Sequence, residues 1–497
     1  EAALKSGTHE LQEGVMEILN DMHIPVLRFP GGTDVDRLDW TDMIDNVPGR
    51  EGPRPKFIGI QGDTVGLNFG YDEALRMAEE LRSEMIVVVN FGNAYFNRMP
   101  IEEAAMHEAG LLAYCNAEVG ADLPEGMPDW PSVRAKNGHP EPYNIRYVQI
   151  ANEPWVMAKE LKRRGPIDPE AKEQYFNCLE AYIKAFKAID PDIEIIADGN
   201  CQELTTPLKE KFGDRIDYVA YHNYRPWGIT KIYRGDAQVP RDSVSDEEVW
   251  KAWVAVPQIN EKGQSMIDDF YYQLAKKSGY PVAVTEWNWN GWWGMDSVDP
   301  EKLGSRFTKG IGATGFLHAI LRNSDAVDIG IQSMLIGNSW GITGVRVSPE
   351  ADVEPHAYPT GQVTAFYSRY HGNKLLSTKL ENVPAYEQPF KMSGIEPFDS
   401  VAYLDVVATA NEKNVYLHVI NRHFSEDLDV SVDMSAFGEF ETEAMHHIFW
   451  GNIENELCKE GALEVGCFNE KTVVVKPANT KVVLPKRSVS IVEFTKK

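Results

Sequence analysis

The sequence predicts an α/β protein, a (β/α)8 TIM barrel followed by a C-terminal antiparallel β-sandwich, on three observations. The chain has 497 residues, and a barrel takes about 250 or more, which leaves room for a second unit. Through residue 340, short runs rich in β-branched residues alternate with longer amphipathic segments, the pattern of repeated strand–helix units. After Pro359 the long helical periods give way to alternating strands, the texture of a sandwich. The expected division is therefore 1–358 for the barrel and 359–497 for the sandwich.

Barrel strands are expected at 26–29, 85–90, 147–150, 193–199, 218–221, 282–287 and 329–334. Helices are expected between them, near 10–22, 72–83, 101–119, 169–189, 264–278 and 303–322. Seven strands are one short of closure. Because the chain opens into a helix, the missing first strand is expected before Glu10, in residues 1–9 or in a segment preceding them. Two long loops, 124–143 and 225–260, are expected to shape a cleft. Sandwich strands are expected at 401–409, 414–421, 428–433, 441–450, 471–475 and 488–494.

A formal charge of −26 repels phosphates and anionic lipid at long range, which argues against nucleic-acid and membrane partners. No apolar run approaches the roughly 18 residues that cross a bilayer. The first residues lack the charged and apolar sections of a signal peptide, so a cytoplasmic location is expected, or secretion with a leader already removed. Cys115, Cys178, Cys201, Cys458 and Cys467 are odd in number and scattered, which points to buried thiols rather than a disulfide framework or a zinc site. Twelve tryptophans suit stacking on sugars and equally suit a large core.

The segment Tyr147-Val148-Gln149-Ile150-Ala151-Asn152-Glu153-Pro154-Trp155 reads as a buried strand ending in a polar pair and a proline. In a barrel that end is where reacting groups sit. A carboxylic acid among apolar neighbours such as Trp155 can stay protonated and donate to a leaving oxygen, while Asn152 can hold a sugar hydroxyl. A helix cap explains an isolated Asn-Glu pair as readily. Val282-Ala283-Val284-Thr285-Glu286-Trp287-Asn288-Trp289 supplies a second strand-end glutamate, Glu286, followed by indoles. Carboxyl groups about 5–5.5 Å apart let one attack an anomeric carbon while the other protonates, with net retention. One such glutamate alone reads as the buried partner of an Arg or Tyr; two, in this strand order, favour catalysis.

Other strand ends carry neutral hydrogen-bonding groups that a polyhydroxylated ring requires: Asn90, His222, Tyr224 and Gln332. Any one of them alone reads as a satisfied structural group. Tyr224 can also steer Glu286 by donating to it. Trp289 is a candidate stacking surface. Arg28, in Arg28-Phe29-Pro30-Gly31-Gly32, is either a counter-ion for a catalytic carboxylate or half of a structural pair.

Together these segments resemble glycoside hydrolase family 51, the α-L-arabinofuranosidases. The resemblance rests on Val26-Leu27-Arg28-Phe29-Pro30-Gly31-Gly32, Gly66-Leu67-Asn68-Phe69-Gly70-Tyr71-Asp72-Glu73, Val89-Asn90-Phe91-Gly92, Asn152-Glu153, Tyr221-His222-Asn223-Tyr224, Glu286-Trp287-Asn288-Trp289 and Gln332. It continues in the sandwich at Val415-Tyr416-Leu417-His418-Val419-Ile420-Asn421-Arg422. It implies Glu153 as acid/base on strand four, Glu286 as nucleophile on strand seven, and Asn90, Asn152, His222, Tyr224 and Gln332 as sugar-binding groups. In the family the first strand carries a further substrate-binding glutamate, for which this sequence shows no counterpart. Phe29-Pro30-Gly31-Gly32-Thr33 stands where the family has Trp-Pro-Gly-Gly-Asn, and Ala151-Asn152-Glu153-Pro154 where it has Gly-Asn-Glu-Met. The Asn-Glu-Pro form is shared with xylosidases and endoglucanases of the same clan, and Trp292-Trp293 is an insertion at the cleft.

The resemblance implies a retaining, exo-acting α-L-arabinofuranosidase on arabinose-containing oligo- or polysaccharides, without metal or organic cofactor, and a homo-oligomer. The rival enzyme is a β-1,4-glucanase or β-xylosidase on the same scaffold. The rival from another class is a carbohydrate-binding protein with an inactive barrel.

Overall fold

Strands apolar along their whole length must be covered on both faces, and a parallel sheet wrapped by helices does this. The computed structural model describes residues 3–255, 268–290, 292–293, 305–338, 342–348, 354–392, 395–451 and 467–497. Seven strands, β1 Val26–Phe29, β2 Glu84–Val89, β3 Tyr147–Ile150, β4 Glu194–Asp198, β5 Tyr218–Tyr224, β6 Val282–Asn288 and β7 Val327–Gln332, pair in chain order, all parallel. The first and last touch without a ladder between them. Among the described residues no eighth strand closes that seam: residues 3–14 hold only an isolated bridge between Leu4 and Leu11.

Helices α1 Val15–Met22, α2 Tyr71–Leu81, α3 Ile101–Asn116, α4 Pro169–Ile189, α5 Asp268–Ser278 and α6 Ser305–Arg322 form the outer layer. Their starts are written locally: Asp168 accepts the N–H groups of Glu170 and Ala171, with Pro169 at the first helical position of α4. The 225–260 region is not bare loop. Ser245 and Glu248 form a capping box on helix Asp246–Val254. The side chains of Trp292 and Trp293, Cys458, the side chain of Cys467, and the starts of the helices expected at 264 and 303 lie outside the described residues. Cys115, Cys178 and Cys201 are buried free thiols. Among the described residues no helix is long and apolar enough to cross a membrane.

Side-chain parity decides what reaches the barrel mouth. Ile86, Tyr147, Ile196, Tyr218, Ala220, Ala283 and Ile329 fill the interior, with Val26 and Ile331 packed against them. Counting by twos, the next inward positions are Arg28, Gln149, His222, Tyr224 and Ser333. Strand β6 breaks the count. Ala283 pairs with Ala220 and Glu286 with His222, three residues against two, so a β-bulge turns Glu286 inward.

Helix α7 Pro359–Arg369 packs on α1 and α6. Beyond it, strands Lys374–Leu376, Leu404–Ala410, Asn414–Asn421, Ser488–Thr495, Glu443–Trp450 and Cys467–Val474 form one antiparallel sheet in that spatial order. Leu428–Val432 pairs with Thr480–Leu484, and Val430 and Val482 pack into a core with Val415, Val419 and Phe494.

The sandwich is tied to the barrel through Asp405, fully buried. It accepts from Arg322 at 2.7 Å and Arg422 at 3.0 Å, and hydrogen-bonds His318 at 2.9 Å. Arg422 also donates to the Val254 carbonyl. Burial opposes the charge, but Arg322, His318 and Arg422 outweigh it and hold the carboxyl well below the usual range. Asp405→Ala leaves two guanidinium groups without their anion, which should cost about 3–5 kcal/mol in urea denaturation; a loss under about 1 kcal/mol would contradict this network. A carboxyl with a depressed folded pKa stabilises fully above its unfolded value, so the wild-type advantage should shrink as pH falls below about 4.

Candidate active site

The mouth is assembled from the ends of β1, β3, β5, β6 and β7. At the end of β3 the chain turns through two left-handed residues, Ala151 (φ 68°) and Glu153 (φ 48°), on either side of Asn152. Glu153 then caps the short helix Pro154–Met157. Its Oε1 lies 2.9 Å from His222 Nδ1, and Glu286 Oε2 lies 3.5 Å from the same nitrogen. One oxygen of each glutamate and the imidazole nitrogen all lie within 4.8 Å of one another. The other ring nitrogen of His222 hydrogen-bonds Thr285 Oγ1 at 3.1 Å.

The two carboxyl groups sit in different surroundings. Glu286 accepts from Arg28 Nη1 at 2.9 Å and from the Tyr224 hydroxyl at 2.7 Å. Burial would raise its pKa, but His222, Arg28 and the Tyr224 donor outweigh burial and hold it below the ordinary value. Burial and the charge of Glu286 push the Tyr224 phenol far up, so it remains a donor. Glu153 is the more open of the two, 20% exposed against 13%. Among the described residues its side chain hydrogen-bonds only His222.

Arg28 is a three-way fork. Besides Glu286 it donates through Nε to Gln149 Oε1 at 2.8 Å and through Nη2 to Asn152 Oδ1 at 2.6 Å. The Asn152 carboxamide is thereby oriented, and its Nδ2 is buried with no partner among the described residues, a donor ready for a sugar oxygen. Gly31 passes close beneath, where a Cβ would stand 3.0 Å from Arg28 Nη1.

Of the residues singled out in the sequence, Glu153, Glu286, Arg28, Asn152, His222 and Tyr224 converge here. Three others are spent on the fold. Asn90 donates to the Leu38 carbonyl and accepts from Asn93 N–H, pinning two loops. Gln332 points away from the interior, donating to the Thr360 carbonyl and accepting from Thr364 on α7. Trp289 is wholly buried, donating to the Trp253 carbonyl and stacked so closely on Gly312 of α6 that a Cβ there would strike its ring. It therefore offers no face to a sugar. Sequence reasoning passed over Gln149, Thr285 and Ser333, the last hydrogen-bonded to Tyr224 at 2.6 Å.

Two groups among the described residues have the spacing of a cation site, Glu153–His222–Glu286 and His9–Asp45–Glu73. In each an arginine already supplies positive charge: Arg28 at Glu286, and Arg54 at Asp45 and Glu73.

A family model described as the α-L-arabinofuranosidase 1 domain matches residues 18–238. The probable α-L-arabinofuranosidase C of Aspergillus niger is 30% identical to this chain, covering 86% of it and 79% of that protein. The intracellular exo-α-(1→5)-L-arabinofuranosidase of Halalkalibacterium halodurans is 22% identical, covering 98% of this chain and 90% of that protein. In fold the chain is similar to the GH51 α-L-arabinofuranosidase of Thermotoga petrophila, with a TM-score of 0.68 over 99% of this chain and 92% of that one at 22% identity. With a relative this similar over most of both lengths, the chain belongs to the α-L-arabinofuranosidase family, and it has the fold of the GH51 structure.

Proposed function

We propose that this protein releases terminal α-L-arabinofuranose from arabinose-containing oligo- or polysaccharides with retention of configuration, Glu286 acting as nucleophile and Glu153 as general acid and base. The observation that carries this is the close pair of carboxyl groups, of which only Glu286 has a cation and a phenol donating to it. Retaining enzymes hold such groups at about 5–5.5 Å, inverting ones at about 6.5–9.5 Å to admit a water. Glu286 attacks the anomeric carbon as the glycosidic C–O bond breaks and Glu153 gives its proton to the departing oxygen. Glu153 then takes a proton from water, whose oxygen displaces Glu286 from the sugar. Asn152 Nδ2 holds a sugar hydroxyl, Tyr224 keeps the nucleophile oriented, and His222 links the two glutamates. The intracellular H. halodurans relative supports a cytoplasmic location, and the exo-acting reading rests on the same protein.

A panel of aryl glycosides tests the substrate: the arabinofuranoside should be cleaved in preference to xyloside, glucoside and galactofuranoside. Preference for the xyloside or glucoside would assign the scaffold to the rival activity. No release from any of them between about pH 4 and 8 would favour a binding protein. Glu286→Ala should abolish turnover while binding persists; near-normal turnover refutes the nucleophile. Glu153→Ala should slow poor leaving groups by roughly 10²–10⁴-fold and activated aryl groups far less, and equal slowing across leaving groups refutes the acid.

Tyr224→Phe removes a donor that favours the ionised form of Glu286, so the pKa of Glu286 must rise. The acid limb of kcat/KM should move to higher pH, with kcat reduced about tenfold or more. A limb that stays in place or moves to lower pH would separate Tyr224 from the nucleophile.

A further inference from the structure

A carboxyl group outside the reacting pair lies directly behind the acid/base. Asp36 follows the Gly31-Gly32 turn and is 2% exposed. Its Oδ1 accepts the Phe91 N–H at 2.9 Å, just past the end of β2, and its Oδ2 accepts the Asn152 N–H at 3.3 Å, just past the end of β3. Its carbonyl accepts from Arg98 Nη1 at 3.3 Å and presses on Gly92, where any Cβ would collide with it. The loop after β1 is thus wedged between the two neighbouring strand ends, with the carboxyl group bridging them.

What this bridge supports is otherwise unfavourable. Left-handed backbone at non-glycine residues is unfavourable and persists only where the surroundings determine it. Ala151 and Glu153 both adopt it, and the amide between them is the one Asp36 holds. Arg28 fixes the side chain of that same Asn152, while Asp36 fixes its backbone. No ion pair to the Asp36 carboxyl is formed among the described residues, and burial pushes it up to about 7 against the pull of the Phe91, Asn152 and Gly92 N–H groups. A polar group buried at that cost fits a task that apolar packing cannot perform.

We propose that Asp36 is a positioning residue for Glu153: by accepting the Asn152 N–H it holds the left-handed turn from which the acid/base side chain projects. This rests on the reading of Glu153 as acid and base. Asp36→Asn keeps the size but turns an N–H donor toward one of the two backbone donors, which should loosen the turn. A displacement near 1 Å can cost about 10²-fold.

The test compares wild type, Asp36→Asn and Glu153→Ala on two arabinofuranosides, one with an activated aryl leaving group and one with a poor alkyl or sugar leaving group. In Asp36→Asn, kcat/KM should fall by about 10–100-fold on the poor leaving group and by less than about threefold on the activated one. Azide, a nucleophile that needs no base, should raise kcat on the activated substrate in both variants, because it bypasses the second task of Glu153. Equal losses on both substrates without azide rescue, or unchanged kinetics, overturn the proposal. If Glu153→Ala itself shows neither signature, it is the acid/base reading that fails; if only Asp36→Asn lacks them, the positioning role alone fails. Should Asp36→Asn not fold, amide hydrogen exchange of the wild type decides: the Asn152 amide should exchange slowly, and exchange as fast as an exposed turn amide overturns the role.

Discussion

Glu286 keeps a charge while almost withdrawn from water, and the rest of the mouth depends on the Arg28 fork that permits it. Taking a carboxylate out of water costs several kcal/mol even after relaxation, and only a well-placed partner offsets that. Arg28 is itself buried, 4% exposed, so each charge helps to compensate the other, with His222 adding to the pull on Glu286. Among the described residues its two other hydrogen bonds are to the neutral oxygens of Gln149 and Asn152, and no second anion draws on the same guanidinium. A lysine could not span these partners: its ammonium is a point charge, whereas the planar fork reaches three directions at fixed angles. The constraint extends to the fold, because β1, β3 and β6 must deliver Arg28, Asn152 and Glu286 to one place from positions far apart in the chain.

That fork also separates two glutamates of identical chemistry. Glu286 has a cation and a phenol donating to it, and an anion stabilised on both oxygens is suited to leave the sugar after having attacked it. Among the described residues Glu153 lacks both and its side chain shares only His222. His222 in turn is held by Thr285 on the bulged strand, which couples the imidazole to the strand that carries the nucleophile.

Much of the fold was legible because its signals are local. All seven barrel strands announced themselves as apolar runs, and helices such as α4 carried an N-cap and proline at their starts. Helix α7 was not legible: Pro359, Gly361 and three β-branched residues weaken its helical propensity, and packing on α1 and α6 outweighs that weakness. The tie through Asp405 was invisible for another reason. His318, Arg322, Asp405 and Arg422 are spread over a hundred residues, and nothing in their spacing marks them as neighbours.

In the site itself, residue type was a better guide than position along the strand. Gln332 carries a carboxamide of the kind a sugar needs, yet Ile329 and Ile331 point inward, so the next inward residue is 333 and Gln332 must face α7. The same alternation sends Trp289 into the helix layer and brings Gln149 to Arg28. Glu286 obeys the opposite logic. Three residues after inward Ala283, it should face the helices, where an ionised carboxylate would have neither Arg28 nor Tyr224 to offset its burial. The bulge between Ala283 and Glu286 corrects this by one residue, and it leaves its mark on the neighbouring strand too, where Val284 pairs with Gly330 but Trp287 with Gln332. A regular β6 would have produced a sound barrel with its second carboxylate on the wrong side of the sheet, so this local irregularity brings the nucleophile to the mouth.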